Sequence, residues 1–203
     1  MEKFDKIVSK PLSGMYIDFG VLKGNSDIVV IKTGYGGTAN GYNDKYLEIA
    51  NSIRDKYGYT VISISNPSTI RNFRKKQMQM LVDVIDDYIH EMNFENFSVR
   101  YIGVSNGAVS GIQYGEMLRG LRSMLCISTP LAFFLKVINE NIENVKVMLS
   151  MVFPSLDKNY YKYFKKLKQC NAVISVIEGQ DHSFSVPDKT QMKDVIMRWL
   201  ETD

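Results

Sequence analysis

The chain has 203 residues, 45% of them hydrophobic and 23% charged, and a formal net charge of +3. That length fits one domain with a sizeable core, and the composition is that of an ordinary globular protein. The charge is too small to point to nucleic acid or an anionic membrane, no apolar run is long enough to span a bilayer, and the start MEKFDKIVSK lacks the apolar stretch of a secretory signal. Cys126 and Cys170 make no disulfide framework, so a cytoplasmic protein with two reduced thiols is expected.

In chain order, β-rich runs alternate with helical ones. Residues Ile7 to Leu22 include SGMYIDFGVL, broken by Gly20, and predict one or two edge strands. DIVVIK (Asp27 to Lys32) is the continuous apolar run of a strand covered on both faces. A glycine-rich stretch follows. NDKYLEIANSIRDKYG then has helical spacing at Tyr46, Leu47, Ala50 and Ile53, with Asn43 as N-cap and Gly58 as stop. YTVISIS (Tyr59 to Ser65) is a strand, and a long helix is predicted from about Ile70 to Met92. FSVRYIGV (Phe97 to Val104) is the next strand, with a helix over 106–119 after it. RSMLCIS, NVKVMLSMVF and NAVISVIEG complete the strands. NYYKYFKKLKQ reads as a helix between the last two, and KTQMKDVIMRWLE as the closing helix. Residues 129–143 read as a short insertion, too small for a cap domain. Alternation of this kind implies βαβ units: a single α/β domain over 1–203, a mostly parallel sheet between two helical layers.

Functional residues of such sheets gather where strands end and helices begin. At one such junction stands GVSNG, residues 103–107. A serine at a tight strand-to-helix turn needs Gly103 and Gly107 beside it, because larger side chains there would collide. The Ser105 hydroxyl is then exposed at the sheet edge. The helix beginning at Asn106 aims free N–H groups and its positive end at the same place, which suits a forming oxyanion. A plain tight turn is the bland reading.

A serine hydroxyl needs a base in contact. Of two histidines, His90 sits near the end of the long helix, where a surface role suffices. His182, in VIEGQDHSF, follows the last strand on the same sheet edge as Ser105 and is the candidate base. An acid must fix its tautomer. Asp157, in FPSLDKNYY, follows the preceding strand and is preferred. Asp181 is the rival, although adjacent side chains usually point apart; Glu178 and Asp188 are outsiders. Asp157 has a structural reading too, as an acid at a helix N-terminus.

The order Ser105, Asp157, His182, with the elbow GVSNG, resembles the α/β-hydrolase family over nearly the whole chain. The resemblance implies a mostly parallel eight-stranded sheet flanked by helices. It also implies that KTGYGGTANGYN supplies one oxyanion N–H, from the backbone of Tyr35 or alternatively Gly36. The backbone of Asn106 supplies the other. The chain departs from the usual His-Gly start of that loop with Thr33-Gly34.

The same loop satisfies a dinucleotide pattern, G-x-G-x-x-A over Gly34 to Ala39. Against that reading, the next strand ends SISNPS without an acid for a ribose hydroxyl, and no G-K-[ST] marks a phosphate loop. RNFRKK and KYFKKLK mix basic and aromatic residues, as solvated helix faces commonly do. The scattered histidines and cysteines make no metal site. The expectation is a cofactor-free serine hydrolase acting on a small acyl ester or thioester. A nucleotide-dependent enzyme and a non-catalytic binding protein on the same scaffold are the alternatives.

Overall fold

The computed structural model describes residues 3–67, 73–157, 162–168, 170–185 and 190–202. Eight strands form one sheet: β1 (Lys6–Leu12), β2 (Met15–Leu22), β3 (Asn25–Lys32), β4 (Tyr59–Ile64), β5 (Ser98–Val104), β6 (Leu121–Ile127), β7 (Met148–Pro154) and β8 (Ala172–Ile177). Their spatial order is β1-β2-β4-β3-β5-β6-β7-β8. β2 pairs antiparallel with both of its neighbours, and every pairing from β4 to β8 is parallel. β1 and β2 are joined by Ser13-Gly14, both at positive φ, as a tight two-residue hairpin requires. Gly20 does not break β2. It pairs with Ile7 and Ser63, and the Phe4 ring occupies the place a side chain would take.

Among the described residues five helices cover the faces: α1 (Lys45–Tyr57), α2 (Arg74–Met92), α3 (Asn106–Tyr114), α4 (Leu131–Asn141) and α5 (Gln191–Thr202). Strand periodicity divides the core in two. Val99 and Tyr101 of β5 face the layer built by α2, α3 and α4, which adds Leu81, Ile85, Val109 and Phe134. Ile102 and Val104 face α1 and α5, where Ile49, Ile53, Ile196 and Trp199 pack. Among the described residues no helix is long and apolar enough to cross a membrane.

Three local expectations change. Helix α1 begins at Lys45, not after an Asn43 cap. Asn43 and Asp44 both turn through positive φ, which Asn and Asp tolerate, and the Asn40 carbonyl accepts the Tyr46 and Leu47 N–H groups instead. Residues 129–143 are not an insertion: they hold α4, the crossover from β6 to β7, with Leu131, Phe134 and Ile138 buried. Of NYYKYFKKLKQ, residues 159–161 and 169 lie outside the described residues, and the rest forms only a 3₁₀ turn at Phe164–Lys166.

Candidate active site

The elbow is explained by close approach of backbones. Ser105 sits at φ 52, ψ −116, outside the ordinary wells. Such a conformation costs about 1–3 kcal/mol and survives only where its surroundings enforce it. They do so on both sides. A Cβ on Gly103 would lie 2.6 Å from the Ala108 Cα. A Cβ on Gly107 would lie 2.1 Å from the Lys32 carbonyl oxygen. The Ser105 N–H donates to the Ile127 carbonyl (2.8 Å), which continues the β5–β6 ladder into the turn. Helix α3 lies against β5 closely enough that a Cβ on Gly111 would meet the Tyr101 ring at 2.4 Å, and the Tyr101 hydroxyl donates to the Gly107 carbonyl (2.7 Å).

The candidate base and acid arrive on neighbouring loops. Asp157 follows β7 and His182 follows β8. His182 Nε2 is 3.0 Å from Ser105 Oγ, and His182 Nδ1 is 2.6 Å from Asp157 Oδ2. The Asp157 side chain is 8% exposed and that of His182 is 33% exposed, so the pair joins a sheltered carboxylate to an imidazole at the surface of the cleft. An imidazole held this way can take the hydroxyl proton through Nε2 while the carboxylate keeps Nδ1 protonated. Cross-links between the loops hold the geometry: Ser155 N–H to the Ile177 carbonyl, Leu156 N–H to the Gln180 carbonyl, and Gly179 N–H to Ser155 Oγ, at 2.9–3.0 Å.

Asp181 points elsewhere. Its carboxylate accepts the Ser185 N–H (2.8 Å) and the Ser185 hydroxyl (2.6 Å). Burial pushes its pKa up, but those bonds, the Ser183 N–H and the charge on His182 outweigh burial and leave it below the ordinary value. Glu178 is exposed, and Asp188 lies outside the described residues. His90 is exposed in the last turn of α2, far in sequence from any of these contacts.

The glycine-rich loop closes over the elbow. A Cβ on Gly34 would lie 3.1 Å from the Ser105 Cβ. Of the two oxyanion donors weighed for this loop, Gly36 is already committed: its N–H donates to the Asn66 carbonyl (2.8 Å). The Tyr35 N–H has no backbone acceptor among the described residues, and the Asn106 N–H stands in the first turn of α3, where no intrahelical acceptor exists. The nucleotide pattern lacks its structural context, because α1 starts only at Lys45, well past Ala39. A cleft of about 1060 Å³ opens in front of Ser105 and His182, walled by Tyr35, Tyr42, Lys45 and Phe184. Among the described residues no group of His, Cys, Asp and Glu is placed to hold a metal ion.

One feature of the site has no counterpart in the sequence reading. Lys32, at the end of β3, is fully buried. Its Nζ donates to Gln77 Oε1 (2.8 Å), Gln77 Nε2 donates to Asn66 Oδ1 (3.1 Å), and Asn66 Nδ2 reaches Asn106 Oδ1 (3.4 Å). Burial, then the nearby Arg74 charge, bring the Lys32 pKa down to about 7. The only signal was a lysine closing the apolar run Ile28 to Ile31 of β3.

No protein-family model and no curated protein sequence matches the chain. Solved structures do. Dienelactone hydrolase from Anabaena variabilis matches with a TM-score of 0.76 at 14% identity, over 100% of this chain and 99% of that one. An α/β serine hydrolase homologue from Coxiella burnetii matches at 0.72 and 12%, over 97% and 98%. An α/β serine hydrolase without a lid from Xanthomonas campestris matches at 0.65 and 13%, over 96% and 94%. Agreement over whole chains at so little identity resides in the backbone, and with the strand order it gives this chain the α/β-hydrolase fold.

Proposed function

We propose that the protein is a serine hydrolase that cleaves a carboxylic ester or thioester through an acyl-enzyme. One observation carries the reading: Ser105 Oγ, the His182 ring and Asp157 Oδ2 form an unbroken hydrogen-bonded line at 3.0 and 2.6 Å, in the wall of an open cleft. His182 Nε2 takes the Ser105 proton as Oγ bonds to the acyl carbon. The carbonyl π pair moves onto oxygen, where the Tyr35 and Asn106 N–H groups receive it. The tetrahedral intermediate collapses, and the alcohol or thiol leaves with the proton from His182. Water, deprotonated by His182, then attacks the acyl-enzyme. The carboxylic acid departs, and Oγ recovers its proton. Asp157 stays ionised throughout and holds the imidazolium. The β6–β7 connection is only α4, and the Xanthomonas neighbour is described as lacking a lid, which supports small acyl substrates entering an open site.

The test is labelling of the intact protein with a fluorophosphonate, read by mass, beside Ser105→Ala and His182→Ala. A single adduct on Ser105, absent in the first variant and slowed at least about a hundredfold in the second, is the expected result. A folded wild type that takes no adduct would overturn the reading.

A further inference from the structure

The two N–H groups assigned above to the oxyanion come from separate segments. Tyr35 belongs to the loop after β3, and Asn106 opens α3 after β5. Hydrogen bonds to the oxyanion are effective only if the spacing and aim of the two donors are fixed before the reaction. One residue touches both segments. Asn66 lies just beyond β4, 1% exposed. Its backbone forms a two-bond antiparallel bridge with the loop: Gly36 N–H to the Asn66 carbonyl and Asn66 N–H to the Gly37 carbonyl, both 2.8 Å. These bonds bracket Tyr35 from its C-terminal side. From the other side, Asn66 Nδ2 points at the Thr33 carbonyl (3.4 Å), and the same NH₂ group reaches Asn106 Oδ1 (3.4 Å).

The direction of these bonds is set from a distance. A lysine ammonium has three donors and no acceptor. In its ammonium form, which predominates below about pH 7, Lys32 therefore requires the oxygen of Gln77, which turns the Gln77 NH₂ toward Asn66. Asn66 must answer with its oxygen, so its NH₂ is aimed at Thr33 and Asn106. Asn106 must then present its own oxygen, and its Nδ2 is left buried without a partner among the described residues. An unpaired buried amide N–H is unfavourable, and turning Asn106 over would relieve it only by setting NH₂ against NH₂. The orphan N–H is what a chain polarised from the lysine end produces.

We infer that Asn66 is a positioning residue that locks the Tyr35 loop to the start of α3, with its amide oriented by Lys32 through Gln77. Neither Asn66 nor Gln77 lines the cleft. Their effect is therefore on the spacing of the donors and not on ground-state binding. The inference rests on the hydrolase reading for its kinetic consequence, though not for its geometry.

Two variants test it. Asn66→Ala removes the side-chain contacts and leaves the backbone bridge. Gln77→Glu retains an acceptor for Lys32 but removes the donor to Asn66, so the amide order reverses in a protein that still pairs its buried lysine. With p-nitrophenyl acetate, both variants are expected to keep KM within about twofold and to lose about 10- to 100-fold in kcat, less than complete loss of an oxyanion donor. Tm is measured alongside. The ¹⁵N–¹H resonances of Tyr35 and Asn106 give a second readout and are expected to move in both variants. A folded Asn66→Ala protein with unchanged kcat and unmoved resonances overturns the inference. If the wild type neither turns over ester nor takes a fluorophosphonate on Ser105, the hydrolase reading fails by itself. The resonances then decide the positioning claim: movement at both amides sustains it, and none removes it.

Discussion

The serine and its two partners are held by different parts of the sheet. Ser105 leaves β5, a central strand whose seven residues are all buried. Backbone contact fixes its position, with Gly103 against Ala108 and Gly107 against Lys32. Asp157 and His182 follow β7 and β8. β8 is the edge strand, half-exposed along its length, with Val173 62% exposed. There the loops are held by side-chain and backbone hydrogen bonds to each other. Ser105 is placed by steric exclusion, which leaves no slack. His182 and Asp157 are placed by polar bonds, each worth about 1 kcal/mol net. Substitutions on the two sides should therefore differ in kind: on the elbow side they disturb the fold, and on the loop side they disturb the chemistry.

The largest effect is expected at Asp157, the proposed acid. Asp157→Asn retains shape and removes the charge that holds His182 Nδ1–H. Turnover should fall by about 10³- to 10⁴-fold, with Tm nearly unchanged. Asp181→Asn, one residue from the histidine but bonded to Ser185, should cost less than about threefold. Ester hydrolysis by the two purified variants decides this. Equal losses would mean that the carboxylates share the role, and the loops would be looser than the 2.6 Å contact indicates.

Stability gives the second contrast. In Gly107→Ala the new Cβ meets β3 backbone, 2.1 Å from the Lys32 oxygen and 3.0 Å from the Thr33 oxygen. Neither atom can give way without moving a central strand. A loss of about 3 kcal/mol is expected, roughly 10 °C in Tm for a chain of this length. Gly179→Ala in the histidine loop has none of the described residues within 4 Å of the new Cβ, and bears the penalty of its φ of +74. About 1 kcal/mol should be lost there. Thermal melts of both, at one pH, measure the difference. Equal shifts would remove the distinction between the two sides.

The same contrast shows in what the sequence made legible. GVSNG announced the elbow because steric exclusion leaves a mark on residue type: only glycine fits at 103 and 107. That Asp157 and His182 come together beside Ser105 was readable from chain order, since each follows a strand whose end faces the right way. The preference for Tyr35 over Gly36 rested on the family resemblance, and its physical reason was not readable. It depends on the Asn66 carbonyl, which comes from a loop some thirty residues on. The relay from Lys32 to Asn106 was missed for the same reason, because its members lie on β3, α2, the end of β4 and α3. Asn43 was misread as a cap because a residue favoured at an N-cap is also favoured in a left-handed turn, and the backbone chose the turn.

A third test uses the buried lysine behind the elbow. The folded-state pKa of Lys32, about 7, lies below the 10.5 of an exposed lysine. Between those values the unfolded chain binds the extra proton, so stability rises with pH there and falls as pH drops toward 7. From pH 6 to 8.5 the gain attributable to Lys32 is about 2 kcal/mol. Burial holds the Cys126 thiol up at about 12, and its opposing effect starts only near the unfolded value of 9. Urea unfolding at several pH values, compared with Lys32→Met, isolates the lysine. The wild type should climb relative to the variant by that amount. Parallel curves would show that the ammonium is compensated by a group not seen at this site.

The smallest expected effect lies in the bond that ties the acid loop to the histidine loop. Ser155 Oγ accepts the Gly179 N–H at 2.9 Å, while the Ser155 backbone N–H donates to the Ile177 carbonyl. Ser155→Ala keeps the backbone bond and removes the other, leaving Gly179 to find water. Loss of one such bond is worth about 1 kcal/mol, so kcat should fall about fivefold if the strain is felt at His182. KM should hardly change, because Ser155 does not line the cleft. The Ser105 elbow is untouched, so reaction with a fluorophosphonate should slow by the same factor and proceed to the same single adduct. The elbow and the loops thus give different signatures in one assay: partial adduct formation would indicate a misplaced serine, and slow but complete formation a misplaced histidine. Full-rate labelling of Ser155→Ala would mean that the β8 loop holds His182 without this bond, supported by the Ser155–Ile177 and Leu156–Gln180 backbone bonds.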